Sequence, residues 1–229
     1  MKVLVAEDDP RILEGLIEIL ETEGYEVVSA SDGAQALTCY EAAAPDFVCL
    51  DIMMPKVNGY DVCRKIRETS PGVPIIFISA KSEEIDKVLG LELGADDFII
   101  KPFGVKEVIA RIRAVTRRCL ATKQPARPPR PTFSMGHLQV SPDELRGQIE
   151  DRTVELSLRD VKILTILYDN VGKVISRDEM YAAGWGLKHI PNSRSLDQHI
   201  SQLRKKVETD PKNPTLIRTV HGAGYRFER

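Results

Sequence analysis

Four places in this 229-residue chain carry side chains that can act together chemically. Glu7, Asp8 and Asp9 follow one short apolar run, Asp51 a second, Ser79 a third, and Lys101 with Pro102 a fourth. Carboxylates crowded at neighbouring strand ends repel one another unless a hard cation sits among them. Mg2+ suits the position because it takes oxygen ligands and keeps waters free for a phosphoryl group. A lysine pairs with phosphate oxygens as a compact point charge, and a hydroxyl bonds a further oxygen. Phosphoryl transfer is mostly positioning and charge stabilisation, so this set is close to sufficient for it. Taken singly, each residue has a plainer reading, because an acid after a strand is commonly a helix cap. Asp9-Pro10 in particular reads as a cap followed by a first helical residue.

The elements that must position these groups alternate. β-rich runs at 3–6, 25–29, 47–50, 75–78 and 98–100 are separated by amphipathic segments near 11–22, 34–43, 59–68, 84–93 and 105–118. Ile12, Leu16, Ile19 and Leu20 share one helical face. Strand-helix alternation with fully apolar strands predicts a five-stranded parallel sheet wound on both sides by helices. Ligands in such sheets bind beyond the carboxyl ends of the strands, where the acids, Ser79 and Lys101 stand.

Residues 121–131 carry four prolines and no large apolar residue, and they read as a semi-rigid linker between a domain at 1–120 and another at 132–229. Residues 1–120 hold 14 Lys+Arg against 21 Asp+Glu, whereas 185–229 hold 9 against 4, so a basic end follows an acidic half. Such a surface suits a phosphate backbone, although charge alone does not separate that from a solvated face. No apolar run nears the roughly 20 residues needed to cross a bilayer, and no signal-peptide pattern opens the chain, so a cytoplasmic protein is expected. Cys39, Cys49, Cys63 and Cys119 lack metal or disulfide spacing and read as reduced thiols.

In the second half, short strand-like stretches over 133–156 predict a small antiparallel sheet, and Ser157-Leu-Arg-Asp160 has capping-box spacing before an apolar helical run. A helix starts at Ser176. Another spans 193–208, burying Leu196, Ile200, Leu203 and Val207. Its polar faces carry Arg194, Ser195, Gln198, Ser201, Gln202, Arg204 and Lys205. Gln198 and Gln202, four apart, project from one side and can pair with adenine in a major groove, while Arg194, Arg204 and Lys205 reach phosphates. The segment 216–227 reads as a hairpin with a glycine turn, a wing able to lie on the backbone or minor groove.

Glu7-Asp8, Leu50-Asp-Ile-Met-Met-Pro55 with Asn58-Gly59, Ser79-Ala80 and Lys101-Pro-Phe103 stand in the order and spacing of the response-regulator receivers of bacterial two-component signalling, which residues 1–118 resemble. Residues 132–229 resemble the OmpR/PhoB winged helix-turn-helix (α+β) effector domain through Leu156-Ser-Leu158, Leu203-Arg-Lys-Lys206 and the run from Thr219 to Phe227. The resemblance implies a transcription regulator whose Asp51 accepts a phosphoryl group from a sensor histidine kinase. Asp8, Asp51 and the Met53 carbonyl would bind Mg2+, with Glu7 assisting through water. Lys101 would bind the phosphoryl group, and Ser79 and Phe98 would hold the two switch positions. Phe98 stands where tyrosine is usual, so its inward rotation would rest on packing rather than on a hydrogen bond. A homodimer would form through the fourth helix, fifth strand and fifth helix, with Lys87, Asp96, Asp97, Glu107, Arg111 and Arg118 in ion pairs and Ile85, Leu89 and Val108 beside them. Such surface pairs contribute about 0 to 1 kcal/mol each and set register more than affinity. The remaining partners would be promoter DNA with repeated half-sites and RNA polymerase. His221 replaces a usual arginine at the wing tip, and Ser201-Gln202 replace frequent basic residues. An aspartyl-phosphate phosphohydrolase would need an acid two residues after the nucleophile, and position 53 is Met, so no enzymatic turnover is expected.

Overall fold

The computed structural model describes residues 1–80, 90, 92–122, 130–186 and 194–228. The chain divides into two compact units, 1–123 and 124–229.

The first unit alternates strand and helix: β1 (Lys2–Ala6), α1 (Pro10–Glu23), β2 (Glu26–Ala30), α2 (Gly33–Ala43), β3 (Phe47–Leu50), α3 (Gly59–Thr69), β4 (Ile75–Ser79), β5 (Asp97–Ile100) and α4 (Val105–Thr122). The five strands form one parallel sheet in the order β2-β1-β3-β4-β5. β3 and β4 are buried along their whole length, and β1 is buried from Val3 onward, as strands covered on both faces must be. The order reverses between β1 and β3, so the chain leaves their carboxyl ends in opposite directions and opens a crevice there. Two features fix the rim. Asp9 caps α1 by accepting from the amides of Arg11 (2.8 Å) and Ile12 (3.3 Å), with Pro10 opening the helix, as its sequence suggested. Gly59 opens α3 against the backbone of Asp51, where a Cβ would stand 2.1 Å from the Asp51 carbonyl oxygen. Only glycine lets the helix start that close to the strand end.

α4 runs to Thr122, two residues into the segment read as linker, while 123–129 lie outside the described residues. The same is true of the predicted helix near 84–93 apart from residues 90, 92 and 93, and of Lys87, Ile85 and Leu89.

The second unit begins with an antiparallel four-stranded sheet, β6 (Phe133–Met135), β7 (Leu138–Ser141), β8 (Arg146–Ile149) and β9 (Arg152–Glu155), in sequential order. α5 (Leu158–Asp169), α6 (Arg177–Trp185) and α7 (Arg194–Val207) follow, with β10 (Val174–Ser176) before α6 and the hairpin β11 (Arg218–Val220) and β12 (Gly224–Arg226) after α7. β12 lies between β10 and β11. Both α5 and α6 open with reciprocal capping boxes, Ser157 with Asp160 and Ser176 with Glu179. Leu196, Ile200, Leu203 and Val207 of α7 are buried, so the periodic stripe in the sequence is the face that packs. No helix among the described residues is long and apolar enough to cross a membrane. Of the four free cysteines, Cys49, Cys63 and Cys119 are buried and Cys39 is half-buried.

Candidate phosphoacceptor and nucleic-acid sites

At the crevice, the backbone amide of Asp51 donates to the carbonyl of Ala6, locking the ends of β3 and β1 side by side. Glu7 and Asp51 are buried, Asp8 is exposed, and their carboxylate oxygens lie within 4.8 Å of one another. Lys101 projects from the end of β5, its backbone amide held by the Ser79 carbonyl at 2.8 Å. Its ammonium reaches Oε1 and Oε2 of Glu7 at 2.8 and 2.6 Å and donates to Oδ2 of Asp51 at 3.0 Å. The Met53 amide approaches Oδ1 of Asp51 at 3.3 Å, while the Met53 side chain is 61% exposed.

Burial pushes the Glu7 carboxyl above its ordinary range; the Lys101 hydrogen bond works against this and the Asp51 charge adds to it. Burial by itself would lower Lys101, but its hydrogen bonds to Glu7 and Asp51 outweigh that and hold it above the usual lysine value. One ammonium therefore pairs with two of three clustered carboxylates, an excess of negative charge that fits a hard divalent cation with oxygen ligands. Asp9 is not part of this set, its oxygen being occupied at the α1 cap.

Ser79, at the end of β4, is wholly buried. Phe98 in β5 is half-buried with its ring 6.2 Å from that of Phe77, which in turn meets Tyr60 edge-on at 5.4 Å. On the β5–α4 face, Arg111 donates to Asp97 (2.9 Å) and Glu107 (3.1 Å) of its own chain, and Arg118 lies 3.9 Å from Asp96. Asp96 also accepts from Arg67 (3.2 Å) and from the Ile75 amide (2.9 Å), which ties it into the fold. Val108 departs from expectation: it is wholly buried with Ile112, Val115 and Cys119 along the inner stripe of α4, so it belongs to the core and not to that face.

In the second unit, Gln198, Ser201, Gln202 and Lys205 are exposed on α7 and Ser195 is half-buried, leaving one polar side of the helix open to solvent. The Arg194 side chain lies outside the described residues. His221 is exposed in the turn between β11 and β12, where Gly222 takes φ 75°. Arg204, expected at a phosphate, is placed elsewhere. It donates to the Ile217 carbonyl from Nε (3.0 Å) and Nη2 (2.6 Å) and to the Thr219 hydroxyl (2.8 Å), because the hairpin folds back against the helix.

Sequence reasoning gave Asp160 its capping-box role but not its tie to α7, and it missed the roles of Glu208 and Asp197. Asp160, fully buried, accepts from the Ser157 amide (2.9 Å) and from Lys206 (2.7 Å), with Nε2 of His199 2.9 Å from its other oxygen. Burial would raise its carboxyl, but His199 and Lys206 together hold it well below the usual carboxylate range. Glu208, also buried, accepts from the amides of Thr215, Leu216 and Ile217. Asp197 of α7 joins Arg177 and Tyr225. The available signal was an acid at each position among basic neighbours.

The response regulator receiver domain model matches residues 3–113, and the model for the C-terminal domain of transcriptional regulatory proteins matches 151–227. The alkaline phosphatase synthesis transcriptional regulatory protein PhoP of Bacillus subtilis is 38% identical over 231 residues, which are 99% of this chain and 96% of that protein. The DNA-binding response regulator MtrA of Mycolicibacterium smegmatis is 39% identical, over 98% of this chain and 96% of its own. Among solved structures, the response regulator DrrB of Thermotoga maritima aligns over 100% of this chain and 99% of its own, at 30% identity and a TM-score of 0.47. With a receiver-type parallel sheet followed by a winged-helix unit and relatives matching end to end, the chain belongs to the DNA-binding response regulators of the OmpR/PhoB class.

Proposed function

We propose that the chain is a transcription regulator switched by phosphorylation of Asp51, with a sensor histidine kinase as donor. The observation that carries this is the Lys101 ammonium within hydrogen-bond reach of both Asp51 and Glu7 at the strand-order reversal. An oxygen of Asp51 would form the new P–O bond as the P–N bond of the phosphohistidine breaks and the imidazole leaves. Asp8, Asp51 and the Met53 carbonyl would hold Mg2+, with Glu7 acting through water. When bound, the cation offsets the charge that develops on the phosphoryl oxygens. Lys101 then shifts from the carboxylates to a phosphoryl oxygen, Ser79 bonds another, and Phe98 follows by packing.

The two domains are taken as 1–120 and 132–229, joined by 121–131. Phosphorylation would favour a homodimer through the face bearing Lys87, Asp96, Asp97, Glu107, Arg111 and Arg118. The winged-helix unit would then bind repeated promoter half-sites, with RNA polymerase a further partner. Ser195, Gln198, Ser201 and Gln202 are assigned to base edges, and Arg194, Lys205 and His221 to the backbone. Promoter binding goes with a cytoplasmic location and makes the protein a switch rather than an enzyme.

The test is intact-mass spectrometry after incubation with acetyl phosphate and Mg2+. Wild type should gain one acid-labile phosphoryl group, Asp51→Asn none, and Asp9→Asn a reduced amount, since Asp9 serves the helix cap. Phosphoryl incorporation into Asp51→Asn would overturn the assignment.

A further inference from the structure

Asp197 is an acid on the face of α7 that this reading presents to DNA, next to Gln198 and one turn from Ser201. A carboxylate there repels phosphates and opposes counterion release, so its presence calls for a physical reason. Its contacts supply one. Oδ1 of Asp197 accepts from the Tyr225 hydroxyl on β12 and from Nη2 of Arg177, the first residue of α6, both at 2.5 Å. Two turns further along the same helix, Arg204 grips β11 through the Ile217 carbonyl and the Thr219 hydroxyl. The guanidinium carbons of Arg177 and Arg204 stand 5.9 and 5.8 Å from the centroid of the buried Tyr225 ring. Each strand of the wing is thus fastened to the recognition helix by its own charged residue. Gly224 draws β12 against β10 on the other side, where a Cβ would stand 2.0 Å from the Ile175 carbonyl oxygen.

Resting on the proposed DNA-binding reading, we propose that Asp197 is a positioning residue: with Arg204 it clamps the wing to the recognition helix, so both elements meet a duplex at one fixed spacing. Preorganisation of this kind raises affinity only for a duplex whose major and adjacent minor grooves suit that spacing, and so appears as discrimination between sequences.

The experiment uses the full chain, a duplex selected by the wild-type chain from a random library, and a scrambled duplex of the same composition. Tyr225→Phe removes only the hydroxyl, and Asp197→Asn keeps the shape while removing the charge. Fluorescence anisotropy should show both variants binding the selected duplex roughly tenfold more weakly, a loss of the size expected from one charge-assisted contact. Binding of Asp197→Asn to the scrambled duplex should be unchanged or tighter, because a negative charge has left the DNA-facing side. Hydroxyl-radical footprints should lose protection under the wing and keep it under α7, while thermal melts followed through Trp185 stay close to wild type. Equal weakening on both duplexes that tracks a lowered melting temperature would reduce Asp197 to a stabilising residue and overturn the proposal. So would an unchanged footprint with preference lost at a single base pair, which would make Asp197 a direct reader of a base edge. Failure of the wild-type chain to select any duplex would instead overturn the DNA-binding reading.

Discussion

Replacing Asp160 by alanine should unfold the C-terminal unit far more easily while leaving the receiver untouched. The side chain is 1% exposed and holds three groups: the Ser157 amide, Lys206 and His199. Losing its half of the capping box costs about 1 kcal/mol. Removing one partner of a buried charge pair costs about 3 to 5 kcal/mol, because the other partner is stranded. Here the lower end applies, since the Lys206 side chain is 37% exposed and can turn to water, whereas His199 at 15% exposure cannot do so easily. The expected loss is about 3 to 4 kcal/mol, a large share of the roughly 5 to 15 kcal/mol that holds a domain together.

The assay is urea denaturation followed by tryptophan fluorescence. Trp185 is the only tryptophan in the chain, and its ring meets His199 edge-on at 5.5 Å with the Arg159 guanidinium 4.2 Å from its centroid. The signal therefore reports the unit containing Asp160 and is silent for the receiver. Asp160→Asn, which keeps an acceptor for the Ser157 amide, should lose about 1 kcal/mol less than the alanine variant. The pH dependence has a definite sign. A carboxyl depressed in the folded state stabilises at every pH above its unfolded value of about 4, and that contribution fades only as pH falls through the depressed value. Asp160 should accordingly add no slope to stability between pH 5 and 8. A loss below about 1 kcal/mol for Asp160→Ala would refute the view that this carboxylate anchors α7.

Two further outcomes test the proposed surfaces. Lys205→Ala should weaken binding to selected and scrambled duplexes alike and lower the salt slope by about one unit, whereas Gln202→Ala should lose about 1 to 3 kcal/mol on the selected duplex alone; anisotropy over a salt series gives both, and equal weakening by Gln202→Ala would turn that face of α7 away from the groove. Arg111→Glu, which sets like charges against Asp97 and Glu107, should lower the dimer fraction under phosphodonor without unfolding the receiver, as read by analytical ultracentrifugation; an unchanged monomer in the phosphorylated wild type would contradict the switch.

The receiver site was legible because its signals are local. A buried strand must be apolar and its exit need not be, so Glu7, Asp51, Ser79 and Lys101 stand out at the ends of fully apolar runs. The capping boxes at Ser157 and Ser176 were legible for the same reason, although only the first was named as one. Val108 was misjudged by its charged neighbours, yet its spacing to Ile112, Val115 and Cys119 is that of a helix core stripe and could have placed it. Arg204 had no such signal. Helical periodicity puts it on the polar side of α7, and only the return of the hairpin, thirteen residues on, supplies the carbonyl that claims it.

That return changes what the basic end of the chain can do. Counted in sequence, 185–229 carries 9 cations against 4 anions, a balance that suggests many phosphate contacts. In the fold, Arg204 is committed to Ile217, Lys206 to Asp160, and Arg218 and Arg226 both to Glu228. Lys205 and Lys212 are exposed and enter no ion pair among the described residues. Among the described side chains of this stretch only those two cations remain uncommitted, and since non-specific affinity rises with the number of phosphates neutralised, one copy should hold duplex DNA less tightly than the sequence balance suggests. On the proposed mechanism this gives the receiver its leverage. Pairing two copies makes the second half-site contact intramolecular, and the resulting effective concentration multiplies a weak affinity most usefully where a single copy is below occupancy. On that proposal the sparse free charge among the described residues of the winged-helix unit and the acidic cluster of the receiver would be parts of one switch: the first would keep the resting chain off DNA, and the second would decide when two copies act together.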